Sequence, residues 1–239
     1  MRGLGPSLAV AVAVISACVP PPRMCVSETE CGTRAACVAG RCVARGATPA
    51  IDSARRLLFP PQDVGWAHRG SSDAADGPPA VATLGRGDGA VLFLRFAVPL
   101  PRETTVLEAY LLLDRVPDAT TDPAPIALHT ARVVSPWDSR SLTWGSQPSV
   151  EEVAAPVTRI AGAAGATVRL EVRELVQRWR KRERDDFGIA VIAEGRTATG
   201  VTFALAPYDV PADRRDPVLA SAAGPRSELE GPRLEAYVR

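Results

Sequence analysis

A recurring alternation of apolar and polar residues, cut into short runs by Pro, Gly and Asp, constrains this chain more than any other feature. In TVRLEV, Val168, Leu170 and Val172 fall on one side and Thr167, Arg169 and Glu171 on the other, the period of two of a half-buried strand. FGIAVIA (187–193) and VTFAL (201–205) keep that period. LEAYLLLDRV places Leu107, Ala109, Leu111 and Leu113 on one face, and RLEAYVR does the same for Leu234, Ala236 and Val238. AVLFLRFAV (90–98) is instead a continuous apolar run, but for Arg95, between Gly89 and Pro99, as in a strand covered on both faces. Many short strands with such punctuation predict an all-β fold, an antiparallel, jelly-roll-like β-sandwich.

One segment breaks the period. VRELVQRWRKRERDD carries Val172, Leu175, Val176 and Trp179 at i, i+3, i+4 and i+7, the stripe of a short amphipathic helix lying against the sandwich. Arg178, Arg180, Lys181, Arg182 and Arg184 then face mostly water. Glu183, Asp185 and Asp186 interleave with them, which favours a solvated surface over an anion site.

The N-terminus carries an address. Arg2 precedes an apolar stretch from Leu8 to Ile15, shorter than the ~20 residues that span a bilayer. It ends in Ile15-Ser16-Ala17-Cys18, which looks like a bacterial lipobox. Residues 1–17 are thus expected to be a lipoprotein signal peptide and Cys18 the acylated mature N-terminus, anchored in membrane through its lipid. An ordinary signal peptide with an incidental cysteine is the weaker alternative. Val19 in place of Asp favours the outer membrane of the cell envelope.

The other cysteines are Cys25, Cys31, Cys37 and Cys42. An exported chain is expected to pair them. Zinc is the competing reading, but there is no C-x-x-C pair, and His68 and His129 lie far off in sequence. The segment resembles the short Cys-rich modules that follow lipoboxes in many bacterial surface proteins. Four cysteines allow three connectivities; the interleaved one, Cys25–Cys37 with Cys31–Cys42, is expected. Residues 18–50 therefore read as a lipidated tether and small disulfide-rich module, and 51–239 as the sandwich.

The order of elements in that second part is informative. An Arg-bearing apolar strand (LFLRFAVPLP) precedes VLEAYLLL. A W-x(6)-W-x-x-x-P element follows (Trp137, Trp144, Pro148), then a V-x-x-L-V-x-x-W helix, an FGIAV strand and a terminal PRLEAYV. The series resembles DNRLRE-domain proteins, grouped with carbohydrate-binding module family 96, over roughly Asp52 to Arg239. Two departures stand out. Ser146 occupies the place of the usual Asn in T-W-x-N-x-P, and residues 214–231 make a long approach to the last strand. The resemblance implies a secreted or surface β-sandwich, usually an accessory module. Some members bind acidic polysaccharides.

The expected function is accordingly a lipid-anchored cell-surface module that binds polysaccharide without catalysis. Arg69, Arg86 and Arg95 could grip uronic carboxylates in bidentate fashion, and Trp66 could stack on a sugar face. Arg95, flanked by Phe93, Leu94 and Phe96, has a rival role as a structural residue neutralised by a buried carboxylate. An adhesive or structural envelope protein with no small ligand is the alternative. Enzyme is the least favoured class: G-x-S-x-G, H-E-x-x-H and Walker motifs are absent from the sequence. No cofactor is called for. Asp73 to Asp76 could offer oxygens to calcium, but the spacing is not that of an EF-hand. A net charge of +1 gives no reason to expect nucleic acid. Of the four tryptophans, Trp144 aligns with Leu142 at period two and Trp179 completes the helical stripe, so both are expected in a core. Trp137 is expected to be a partly buried clasp for the same loop, and Trp66 the tryptophan most available to a ligand.

Overall fold

The computed structural model describes residues 31, 34–38, 41–44, 54–69, 79–87, 89–116, 126–153, 155–160, 167–181, 186–194, 200–209 and 228–239. The chain divides into two compact units, Met1–Thr48 and Pro49–Arg239.

In the first unit, β1 (Ala35–Val38) and β2 (Arg41–Ala44) form an antiparallel hairpin with Cys37 opposite Cys42. Cys42 is joined to Cys31 by a disulfide with Cα atoms 5.3 Å apart, inside the usual range for such a bridge. The companion pairing of Cys25 with Cys37, and the acylation of Cys18, lie outside the described residues.

The second unit is an antiparallel β-sandwich. Its strands are β3 (Arg55–Phe59), β4 (Pro61–His68), β5 (Val81–Leu84), β6 (Ala90–Phe96), β7 (Val106–Asp114), β8 (Ile126–Val133), β9 (Val150–Glu152), β10 (Thr158–Ile160), β11 (Thr167–Glu171), β12 (Ile189–Glu194), β13 (Val201–Ala204), β14 (Tyr208–Asp209), β15 (Glu228–Leu229) and β16 (Arg233–Val238), with helix α1 (Arg173–Arg180) between β11 and β12. One sheet runs β10-β8-β12-β6-β4 with β9 also on β8; the other runs β11-β7-β16-β3. From β6 to β16 the long strands alternate between the sheets. Two short pairs, β5 with β13 and β14 with β15, complete the unit.

The alternation read from the sequence explains the interior. Leu92 and Leu94 of β6, Leu128 of β8, and Ile189 and Val191 of β12 face Ala109, Leu111 and Leu113 of β7, Leu170 of β11, and Leu234 and Ala236 of β16 in one core. Leu107 departs from expectation. Tyr237 pairs with Glu108 but Val238 pairs with Val106, a register shift that leaves Leu107 without a cross-strand partner. The extra residue turns Val106 into the core and leaves Leu107 only half-buried, the usual effect of a bulge.

Helix α1 follows directly from β11, and Val172 donates its backbone N–H to Ala109 O at 2.9 Å. Leu175 and Val176 are buried, while Trp179 is half-buried against the core and tilted onto Phe96 at 6.4 Å between ring centroids. Gln177 and Arg180 donate to the carbonyls of Val106 and Thr104, fastening the helix to the start of β7.

On the other face of the four-stranded sheet, polar side chains are buried and paired. Glu235 is fully enclosed and accepts from Arg56, Arg169 and Tyr237. Asp114 accepts from Arg233, from the Thr167 hydroxyl and from the Glu230 backbone N–H. Burial alone would raise the Asp114 pKa, but these donors and the Arg233 charge outweigh it and hold the carboxyl below its ordinary value.

Candidate functional site

Strand β6 is covered on both faces because a loop folds over the outside of its sheet. Residues 134–149 connect β8 to β9, and their apolar side chains turn onto the outward positions of the six-stranded sheet. Trp137 and Leu142 pack with Ala67 of β4, Phe93 of β6, Ala131 and Val133 of β8, and Ala190 of β12, with Trp144 and Phe187 at the margin. This is a second apolar cluster, separated from the main core by the thickness of one sheet.

Glycine supplies the floor. A Cβ on Gly65 would lie 2.6 Å from Leu142 Cδ2 and 2.8 Å from Trp137, so any side chain there would displace the loop. Gly89 has φ of 78° and lies beneath the Trp144 ring; a side chain at that position would strain the backbone as well. The loop is tied down at three points. Trp137 Nε1 donates to Phe187 O at 2.9 Å, and the Val134 N–H donates to Ser149 O at 2.9 Å. The Ser146 hydroxyl accepts from the Thr143 N–H at 2.9 Å and donates to Ser141 O at 3.0 Å. Ser146 thereby bonds to backbone on both sides of Leu142.

Each loop tryptophan carries an arginine from the sheet below. The guanidinium of Arg95 lies 5.2 Å from the Trp137 ring centroid, and that of Arg69 lies 5.7 Å from the Trp144 ring. Both distances lie within the range of a cation–π contact. The two arginines differ in their other contacts. Arg95 Nη2 donates to Asp63 Oδ2 at 2.5 Å, across the β4–β6 ladder where Asp63 and Arg95 are paired. Arg69 and Arg86 are exposed, and among the described residues neither is paired with a carboxylate. They are neighbours through Gly89: Arg69 N–H donates to Gly89 O at 3.2 Å and Gly89 N–H to Arg86 O at 3.0 Å.

The structure thus brings Arg69 and Arg86 together at one end of β4, places Arg95 on the same face toward the other end, and leaves Trp66 out. Trp66 alternates onto the inner side of β4 with Val64, is half-buried against the main core, and stacks on His68 at 4.3 Å. Its neighbours at odd positions of β4 face the loop instead, so the aromatic partners of the arginines are Trp137 and Trp144. The expected order of burial is also inverted. Trp137 is the enclosed ring, at 8% exposure, because Gly65 leaves room under it and Arg95 lies over it. Trp144 is half-buried, because Gly89 is at the edge of the sheet. The sequence holds a signal for this arrangement, namely the glycines facing the W-x(6)-W element across the ladder. It becomes visible only once the β4–β6 pairing is known.

Asp63 is the carboxylate that balances Arg95, at 19% side-chain exposure, so the structural role of Arg95 has a partner. Further polar contacts among the described residues lie elsewhere. Arg132 meets Glu151 at 3.1 Å and Asp186 at 3.5 Å, His129 meets Glu194 at 3.3 Å, and Arg178 meets Glu174 along the helix. The Asp73–Asp76 stretch lies outside the described residues. Scanned against protein-family models the sequence finds no match, and no curated protein matches it.

Proposed function

We propose that this chain is a lipid-anchored cell-envelope protein whose β-sandwich binds acidic polysaccharide without catalysis. The observation that carries the proposal is the pair of exposed arginines, Arg69 and Arg86, with Arg69 stacked on the half-buried Trp144. A guanidinium drawn to an indole by a cation–π contact has already lost part of its side-chain freedom, so less ordering remains to be done when a carboxylate arrives. A polymer with a carboxylate on each ring presents many equivalent partners to such a pair.

The order of motifs in the sequence, from LFLRFAVPLP through Trp137, Trp144 and Pro148 to PRLEAYV, carries the resemblance to the DNRLRE family, whose members include binders of acidic polysaccharides. The apolar stretch ending in Ile15-Ser16-Ala17-Cys18 supports the lipid anchor and an outer-membrane location. The adhesive reading would need a contiguous apolar patch. Among the described residues the exposed large apolar side chains are Leu58, Val150 and Val157, on β3, on β9 and just before β10.

The test is affinity electrophoresis of the full chain in detergent through gels containing a polyuronate or a neutral glucan. Retardation is expected in the polyuronate alone, weakening as salt is added. The Arg69→Ala/Arg86→Ala double variant is expected to bind at least about tenfold more weakly, the loss of a single charge-assisted contact. Equal retardation by the neutral glucan, or a double variant that runs like the wild type, overturns the proposal.

A further inference from the structure

Resting on that reading, we infer that the site is a two-ended track for a linear polyanion, with Arg69, Arg86 and Trp144 at one end and Arg95 on Trp137 at the other. The geometry comes from β4. Asp63, the cross-strand partner of Arg95, and Arg69, the residue after β4, lie six positions apart, which at the rise of a β-strand separates their backbone positions by about 20 Å. That is farther than one sugar ring reaches. Both ends face the same side of the sheet, because residues 63, 65, 67 and 69 alternate outward together. Between them Gly65 and Ala67 are roofed by Trp137 and Leu142, so a ligand touching both ends crosses the outside of the loop. There the exposed residues include Pro136, Asp138, Arg140, Ser141, Gly145 and Ser146, small or polar apart from the proline, with one further cation and one carboxylate.

The ends are built alike but are not equally ready. Each presents a guanidinium resting on a tryptophan of the same loop. At the first end the cations have no carboxylate among the described residues. At the second, Asp63 takes one N–H of Arg95 through Nη2 and leaves the guanidinium's other donors for a second acceptor. Asp63 therefore acts as a resident competitor: it keeps Arg95 oriented on Trp137 while the second end is empty, and it repels an incoming carboxylate. A short acidic sugar binds at the Arg69–Arg86 end. A chain long enough to reach Arg95 gains the second contact as an intramolecular event.

Titration calorimetry of the full chain with oligouronates of increasing length reads this directly. Affinity is expected to be low and constant for short oligomers, then to rise on the order of a hundredfold once the oligomer spans both ends. Arg95→Gln is expected to remove the rise. Asp63→Asn, which removes the competitor and leaves a neutral hydrogen-bond acceptor for Arg95, is expected to tighten long oligomers alone by several fold. It also carries the test if Arg95→Gln does not fold. A flat length series overturns the two-ended track. So does a rise that survives Arg95→Gln, or an Asp63→Asn variant that leaves long oligomers unchanged. In each of those cases short-oligomer binding that still depends on Arg69 and Arg86 leaves the binding function standing. Absence of binding at every length overturns both.

Discussion

At the scale of single residues, the two loop tryptophans differ in what surrounds them rather than in their local sequence. Trp137 is enclosed by Gly65, Phe93 and Arg95 and has its indole N–H satisfied by Phe187 O. Trp144 rests on Gly89 at the sheet margin with one face toward Arg69. Truncating Trp137 to Ala therefore empties a packed site and frees a buried carbonyl, at a cost of about 3–5 kcal/mol. Truncating Trp144 leaves a space that water and Arg69 can refill, at about 1–2 kcal/mol. Urea unfolding of the two variants checks the order, and a Trp144→Ala variant less stable than Trp137→Ala would contradict this packing. Local sequence pointed the other way, since Leu142 beside Trp144 suggests an inward face while Pro136 and Asp138 beside Trp137 suggest none. What buries Trp137 is a glycine far back in the chain on β4, and neighbour patterns within a loop carry no trace of it.

At the scale of elements, the loop of residues 134–149 behaves as a third layer without regular secondary structure. Its backbone polar groups need partners that a sheet would otherwise supply. The Ser146 hydroxyl meets part of that need by bonding to Thr143 and Ser141, in the place where the resembled family carries Asn. Ser146→Ala is expected to lower stability by about 1 kcal/mol, and Ser146→Asn to restore most of it; thermal melts of the two variants decide, and equal loss in both would show that the side-chain acceptor is immaterial. The strands and helix were more legible than this loop. Alternation marks β11 and β16, and the i, i+3, i+4, i+7 stripe marks α1, because each pattern reports a face that the element itself creates. The continuous run of β6 signalled two covered faces without saying what covers the outer one. The bulge at Leu107 left no mark because Val106 and Leu107 are both apolar, so the inward position moved unseen to Val106. Arg69, Arg86 and Arg95 were legible as residue types, whereas their partners, Trp144, Trp137 and Asp63, follow only from strand order and register.

At the scale of the whole sandwich, both sheets carry ion pairs, and those of the four-stranded sheet include its two most enclosed carboxylates. The four-stranded sheet buries its carboxylates, and Asp114 and Glu235 are closed in by Arg233, Arg56 and Arg169. Because the Asp114 pKa in the folded chain lies below its value of 3.8 when unperturbed, its contribution is complete above that value and fades as pH falls through the folded pKa. Asp114→Asn is thus expected to cost roughly 2 kcal/mol at neutral pH. The gap between wild type and variant should then shrink in melts taken at successively lower pH below about 4; a gap constant down to strong acid would contradict the pairing. The six-stranded sheet instead directs Arg69 outward beside Trp144, and this has an optical corollary. Trp137 and Trp144 sit against guanidinium groups, whereas Trp179 meets Phe96 and the aliphatic interior. The chain's own fluorescence therefore divides into a component from Trp137 and Trp144 that senses cations at the loop and one from Trp66 and Trp179, which pack against the main core, so events at the outer face can be followed without attaching a dye.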